Sequence, residues 1–263
     1  MKVFIKIILL IGGLLTITFL LGYRAIENRI SLSEYNDSIQ YNVFNDSILK
    51  IGIIGDSWAV NANRYLFGKY IDSLFKLENI KSNTFYIYGL NGSKSKDIYQ
   101  NLIDNQLINQ HKMKFDYCIV FAGINDLHGQ YGAEFYSYHM KQIINYLLNR
   151  HITPIIIEIP KFDILEQYKL YPLWKFTLYK LLSLYTSGNI HANNIQKYRS
   201  SFENIINNKN INNSIIYIKT DSIFMGKNDL FTDYMHINHF AYKELGNLIK
   251  KEIDNKNRMK WEK

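Results

Sequence analysis

The chain has 263 residues, a formal net charge of +8, 47% hydrophobic residues, 3 prolines and one cysteine. That length suits one α/β domain of roughly 200–250 residues with a short appendage, and the scarcity of proline and of low-complexity tracts excludes long disordered linkers. No repeat recurs at a period of about 20–50 residues, which excludes a solenoid or propeller, and a lone cysteine excludes an internal disulfide or a thiolate metal cluster.

Residues 7–23 (IILLIGGLLTITFLLGY) carry no charge. With Val3-Phe4-Ile5 the run reaches about 17–21 apolar residues, near the minimum that spans a bilayer. Lys2 and Lys6 precede it, which favours a cytoplasmic N-terminus and export of the chain beyond residue 23. No small-x-small site succeeds the apolar core, so residues 1–23 are expected to be a signal anchor, with a cleaved signal peptide and a secreted product as the alternative. A polar stalk is expected over residues 24–49, and the domain beyond it is expected outside the cytoplasmic membrane.

From residue 50 short apolar runs alternate with amphipathic stretches. The runs Lys50–Gly55, Thr84–Tyr88, Phe115–Phe121, Thr153–Ile159 and Ser214–Lys219 read as strands. Helical spacing fills 61–77, 95–108, 132–150, 194–208 and 239–254. Continuous apolar strands separated by helices predict a parallel sheet covered on both faces, a three-layer α/β/α sandwich over 50–255. Ligands of such a sheet bind at the carboxyl ends of its strands. Cys118 lies inside the third run, where a buried, unreactive thiol is expected.

Residues 161–193 are surplus to this rhythm: an aromatic-rich helical insertion in which Tyr168, Tyr171, Trp174, Phe176, Tyr179 and Tyr185 recur at near-helical spacing. Extra core, a wall or lid of the binding cleft, and contact with a membrane surface all fit that stripe. A basic tail at 256–263 closes the chain; Lys250, Lys251, Lys256, Arg258, Lys260 and Lys263 alternate with acids and neutral residues, and no nucleic-acid motif accompanies them. No nucleic-acid partner is therefore expected.

Four short stretches carry chemistry, three of them directly after a strand. Gly55-Asp56-Ser57-Trp58 puts a serine on a tight turn where ligands bind, although glycine, aspartate and serine are also ordinary turn residues. Gly89-Leu90-Asn91-Gly92-Ser93 offers a backbone N–H that a substrate can approach closely. In Gly123-Ile124-Asn125-Asp126 the Asn125 amide can donate to a developing negative charge, or simply cap the next helix. In Asp233-Tyr234-Met235-His236 an aspartate three residues before a histidine can fix its tautomer, leaving the other ring nitrogen to take a proton from serine. Each is weak alone; their order and placement after successive strands agree with one site.

With these four stretches the sequence resembles the SGNH (GDSL-like) hydrolase superfamily over about residues 50–254, its four named residues matching Ser57, Gly92, Asn125 and His236. The resemblance implies a flavodoxin-like α/β/α fold, carboxylic-ester hydrolysis, and no metal or organic cofactor. It implies Ser57 as nucleophile, His236 as base, Asp233 as its orienting partner, and the N–H groups of Ser57 and Gly92 with the Asn125 side chain as the oxyanion hole. Trp58 stands where the family commonly has an aliphatic residue, and with His128 it is a candidate for contact with substrate. Two rival chemistries are excluded by pattern: no G-x-S-x-G elbow occurs, and His111, His128, His139, His151, His191 and His239 show no H-E-x-x-H or comparable metal spacing.

The expected substrate is an O-acylated, most of all O-acetylated, carbohydrate or small molecule. Alternatives are a lipid ester, acyl transfer to a sugar hydroxyl, and an inert tethered glycan-binding protein.

Overall fold

A computed structural model describes residues 12–13, 48–104, 114–128, 131–161, 172–174, 177, 188–207, 211, 213–233 and 235–261. Most of the expected anchor (residues 1–23), nearly all of the stalk and most of the 161–193 insertion lie outside the described residues. Among the described residues no helix is long and apolar enough to cross a membrane.

Five parallel strands form one sheet in the order β2-β1-β3-β4-β5. They are β1 (Leu49–Gly55), β2 (Ser82–Gly89), β3 (Tyr117–Phe121), β4 (Thr153–Ile157) and β5 (Ile216–Ile218). β1 and β3 are buried over nearly every residue, the signature of a sheet covered on both faces. Cys118 has no exposed surface, and burial pushes its thiol well above its ordinary value.

The helices are α1 (Ser57–Arg64), α2 (Phe67–Lys76), α3 (Ser95–Asp104), α4 (Ile124–His128), α5 (Ala133–Leu148), α6 (Gly188–Ile206), α7 (Asp221–Phe224) and α8 (His239–Trp261). α2 packs with α8 on one side, while α5 packs with both α3 and α6 on the other. The result is the α/β/α sandwich that the alternating pattern predicts.

Three boundaries depart from the sequence pattern. The stretch expected as one helix over 61–77 is two, because Leu66 adopts a left-handed backbone (φ 56°) and turns the chain between them. That turn lets Phe67, Ile71 and Phe75 all reach the core. At the C-terminus the residues expected as a tail continue α8 as far as Trp261. Its basic cluster is partly engaged inside the molecule: Lys250 pairs with Glu78 and Asp254, and Lys256 donates to the carbonyls of Asn213 and Ile215. α6, expected from 194, begins at Gly188, within the stretch assigned to the insertion.

In this strand order the chain leaves β1 toward β2 and returns on the other side to β3. The crevice between the carboxyl ends of β1 and β3 is therefore the topological switch point, where open α/β sheets bind ligands.

Candidate active site

The Gly55–Trp58 turn, which carries the candidate nucleophile Ser57, sits at that switch point. β1 ends at Gly55, whose φ of +154° and packing leave no room for a side chain: a Cβ would lie 2.2 Å from the Phe121 carbonyl oxygen. The turn is held from both neighbouring strands, with Asp56 N–H donating to Phe121 O (3.1 Å) and Leu90 N–H donating to Gly55 O (3.2 Å). Asp56 caps α1, its Oδ1 accepting from Trp58 N–H at 2.9 Å, so Ser57 is the first helical residue. Full burial pushes the Asp56 carboxyl up to about 7, although the Trp58 N–H and the nearby His236 oppose that rise.

His236 comes from a loop pinned locally. Phe231 and Ile237 form an antiparallel bridge, and Thr232 N–H donates to His236 O at 2.8 Å. Asn238 then caps α8, its Oδ1 accepting from Phe240 and Ala241 N–H. Inside the loop, Asp233 Oδ1 accepts from the N–H groups of Met235 (2.9 Å) and His236 (2.8 Å). Its Oδ2 lies 2.7 Å from His236 Nδ1.

Burial pushes the Asp233 carboxyl upward, but the hydrogen bond and charge of His236 and the two backbone donors outweigh it and hold the group below its ordinary value. An ionised carboxylate only accepts hydrogen bonds, so Nδ1 carries a ring hydrogen and, in the neutral imidazole, Nε2 holds the lone pair. That nitrogen lies 3.0 Å from Ser57 Oγ, positioned to accept the hydroxyl proton.

Three further donors belong to the candidate site. As the first residue of a helix, Ser57 has an N–H with no intrahelical partner, and among the described residues neither it nor the Gly92 N–H makes a hydrogen bond. Gly92 has φ +80° and open space around it. Asn125, in the first turn of α4, donates one amide hydrogen to Ser93 O at 2.9 Å, which ties it to the Gly92 turn; among the described residues its second hydrogen has no acceptor.

A further tie lies beneath. Buried Asp126 accepts from Ser95 N–H (2.9 Å) and Ser95 Oγ (2.6 Å), joining the start of α3 to α4. Burial holds the Asp126 carboxyl above its ordinary value against those hydrogen bonds.

The structure thus brings together Ser57, Asp233 and His236, and separately links Asn125 to the Gly92 turn. Of the other two candidates, only the side chain of Trp58 is among the described residues. Trp58 is only 2% exposed and lines a narrow recess at the ends of β1, β3 and β4 with Phe121, Ala122, Ile124 and Ile159. A side chain that covered contributes to the frame of the site and not to its open surface. His128 is the last residue of α4, and its side chain lies outside the described residues.

Asp56, Ser95 and Tyr242, whose hydroxyl donates to Trp58 O at 2.7 Å, support the site without having been singled out from the sequence. An aspartate directly before a helix is a legible capping signal. The Ser95–Asp126 pair joins residues 31 apart and carries no local signature.

No protein-family model matches the chain, and no curated protein matches it. Solved structures do. A lipase/acylhydrolase from Enterococcus faecalis is 16% identical with a TM-score of 0.56, over 80% of this chain and 96% of that one. A putative acylhydrolase from Bacteroides fragilis is 13% identical with a TM-score of 0.55, over 86% and 97%. An acetyl-xylooligosaccharide esterase from Geobacillus is 15% identical with a TM-score of 0.56, over 78% and 94%. At such identities the likeness is one of architecture: this chain shares its α/β/α fold with these acylhydrolase and esterase structures.

Proposed function

We propose that this protein is a serine carboxylic-ester hydrolase of the SGNH type. The observation that carries the reading is the hydrogen-bonded line Asp233–His236–Ser57, at 2.7 and 3.0 Å, at the sheet's switch point. The serine is paired with a base and the base with an orienting carboxylate, which is the arrangement that activates a hydroxyl nucleophile. In the first step His236 Nε2 takes the Ser57 proton as Oγ bonds to the ester carbonyl carbon. The N–H groups of Ser57 and Gly92 and the second Asn125 hydrogen receive the negative charge on the carbonyl oxygen. His236 returns the proton to the departing alcohol; water, deprotonated by the same nitrogen, then releases the acid from the acyl-serine.

The proposed substrate is an O-acetylated carbohydrate met outside the cytoplasmic membrane. The residue 7–23 apolar segment behind Lys2 and Lys6 supports the location. Two structural neighbours, described as an acetyl xylan esterase and an acetyl-xylooligosaccharide esterase, support the substrate class.

The test is hydrolysis of p-nitrophenyl esters of increasing chain length by the full chain, alongside labelling with a fluorophosphonate. Acetate-selective turnover is expected, with Ser57→Ala abolishing both turnover and labelling and reducing kcat by about 10^4-fold or more. Preference for long acyl chains would move the substrate to lipids. A wild type that neither turns over nor labels would sink the hydrolase reading.

A further inference from the structure

Trp58 directly succeeds the nucleophile, and each of its polar groups is engaged. Its backbone N–H donates to Asp56 Oδ1 (2.9 Å), its carbonyl accepts from the Tyr242 hydroxyl (2.7 Å), and its indole Nε1–H donates to the Met235 carbonyl (2.9 Å). The last two bonds cross 184 and 177 residues of chain. The ring itself is buried against Phe121 and Phe224, at centroid distances of 6.1 and 6.0 Å.

The acceptor is what gives the indole bond its meaning. The Met235 carbonyl belongs to the same peptide unit as the His236 N–H, because a peptide group joins one residue's C=O to the next residue's N–H in a single rigid plane. That plane is gripped from both ends: its C=O by Trp58 Nε1, its N–H by Asp233 Oδ1 at 2.8 Å. The imidazole hangs from the Cα at the edge of that plane, and one end of the grip comes from the residue bonded to Ser57.

We propose that Trp58 is a positioning residue that sets the Ser57–His236 geometry through the Met235–His236 peptide. The inference rests on the serine-hydrolase reading above. In this arrangement the nucleophile and its base are referenced to each other through one side chain and one peptide. A buried phenylalanine would fill most of the same space but could not donate. It would leave the Met235 carbonyl without the indole donor and free the peptide plane to rotate.

The experiment compares wild type, Trp58→Phe, His236→Ala and the double variant as full chains. It reads kcat and KM on p-nitrophenyl acetate, fluorophosphonate labelling rate, and melting temperature. Misplacement of about 1 Å between reacting groups costs on the order of 100-fold in rate. Trp58→Phe is therefore expected to lower kcat and the labelling rate by about 10- to 100-fold while KM stays within about twofold, with the folded fraction at assay temperature unchanged.

Because the effect runs through the base, Trp58→Phe should add nothing to the residual rate of His236→Ala. Wild-type kcat in Trp58→Phe overturns the inference while leaving the hydrolase reading intact. So does the same fractional loss of rate in the His236→Ala background. A wild type with neither turnover nor labelling overturns both.

Discussion

Asp56 combines two roles that pull in opposite directions. As the cap of α1 it accepts from Trp58 N–H, and as a fully buried carboxyl it is pushed up to about 7. Its folded value thus lies above its ordinary value of 3.8, so between pH 4 and 7 the folded protein holds a proton that the unfolded chain has released. The ionisation cost is absent in acid and develops as pH rises through that window, reaching on the order of 4 kcal/mol above pH 7. Asp233 has the opposite sign: held below its ordinary value, it stabilises the fold above that value and loses the contribution as pH falls through its folded value. Asp56→Asn keeps an oxygen to cap α1 but cannot ionise. Its stability relative to wild type is expected to improve by up to about 4 kcal/mol between pH 4 and pH 8, read from denaturant unfolding at each pH. Parallel curves for the two proteins would contradict the assignment.

At the scale of elements, the site depends on how tightly two turns are built. Gly55 ends β1 with φ +154° and a would-be Cβ 2.2 Å from Phe121 O and 2.7 Å from Phe121 Cβ. Gly92 shares a positive φ, +80°, but nothing lies within 4 Å of its would-be Cβ. Gly55→Ala must push β1 from β3 and is expected to cost roughly 2–4 kcal/mol of stability. Gly92→Ala carries backbone strain alone, on the order of 1 kcal/mol. Urea midpoints of the two variants check the difference; equal losses would mean that strain and not packing governs Gly55. The split of the 61–77 stretch belongs to the same scale. Leu66 is neither glycine nor proline, so the residue that turns the chain carries no punctuation of its own.

At the scale of the whole molecule, a buried ion pair locks the carboxyl ends of β4 and β5 to α6. Arg199 and Glu158 side chains are each 4% exposed and meet at 3.2 Å. Arg199 also donates to Ile159 O (2.7 Å) and pairs with Asp221 (2.7 Å), while Glu158 accepts from Thr220 N–H (2.9 Å) and the Tyr217 hydroxyl (2.9 Å). Removing one partner leaves the other charge buried without it, so Arg199→Met is expected to cost about 3–5 kcal/mol. Pairing it with Glu158→Gln should restore part of that loss, as read from chemical denaturation. Additive losses in the double variant would show that the pair is not coupled. This lock lies beside Lys161, which meets Asp221 at 3.1 Å where the aromatic insertion begins.

The sequence by itself determined the fold class and pointed to Asp233, His236 and Ser57, which the structure joins by hydrogen bonds. Strand and helix periods are local properties, and the five strands and their alternation with helices follow from them. Ser57 and His236 were legible because each sits in a short stretch directly beyond or before a regular element, and Asp233 because its partner is three residues away. Only the tertiary structure decided how the groups are held. That Asn125 ties to Ser93, that Asp126 ties to Ser95, and that Trp58 grips the Met235 carbonyl are hydrogen bonds between residues 31 to 177 positions apart. Such bonds leave no period in the chain. They exist because the sheet brings the carboxyl ends of β1, β2 and β3 to one crevice, where buried donors and acceptors must find each other or remain unpaired at a cost of about 1–3 kcal/mol each.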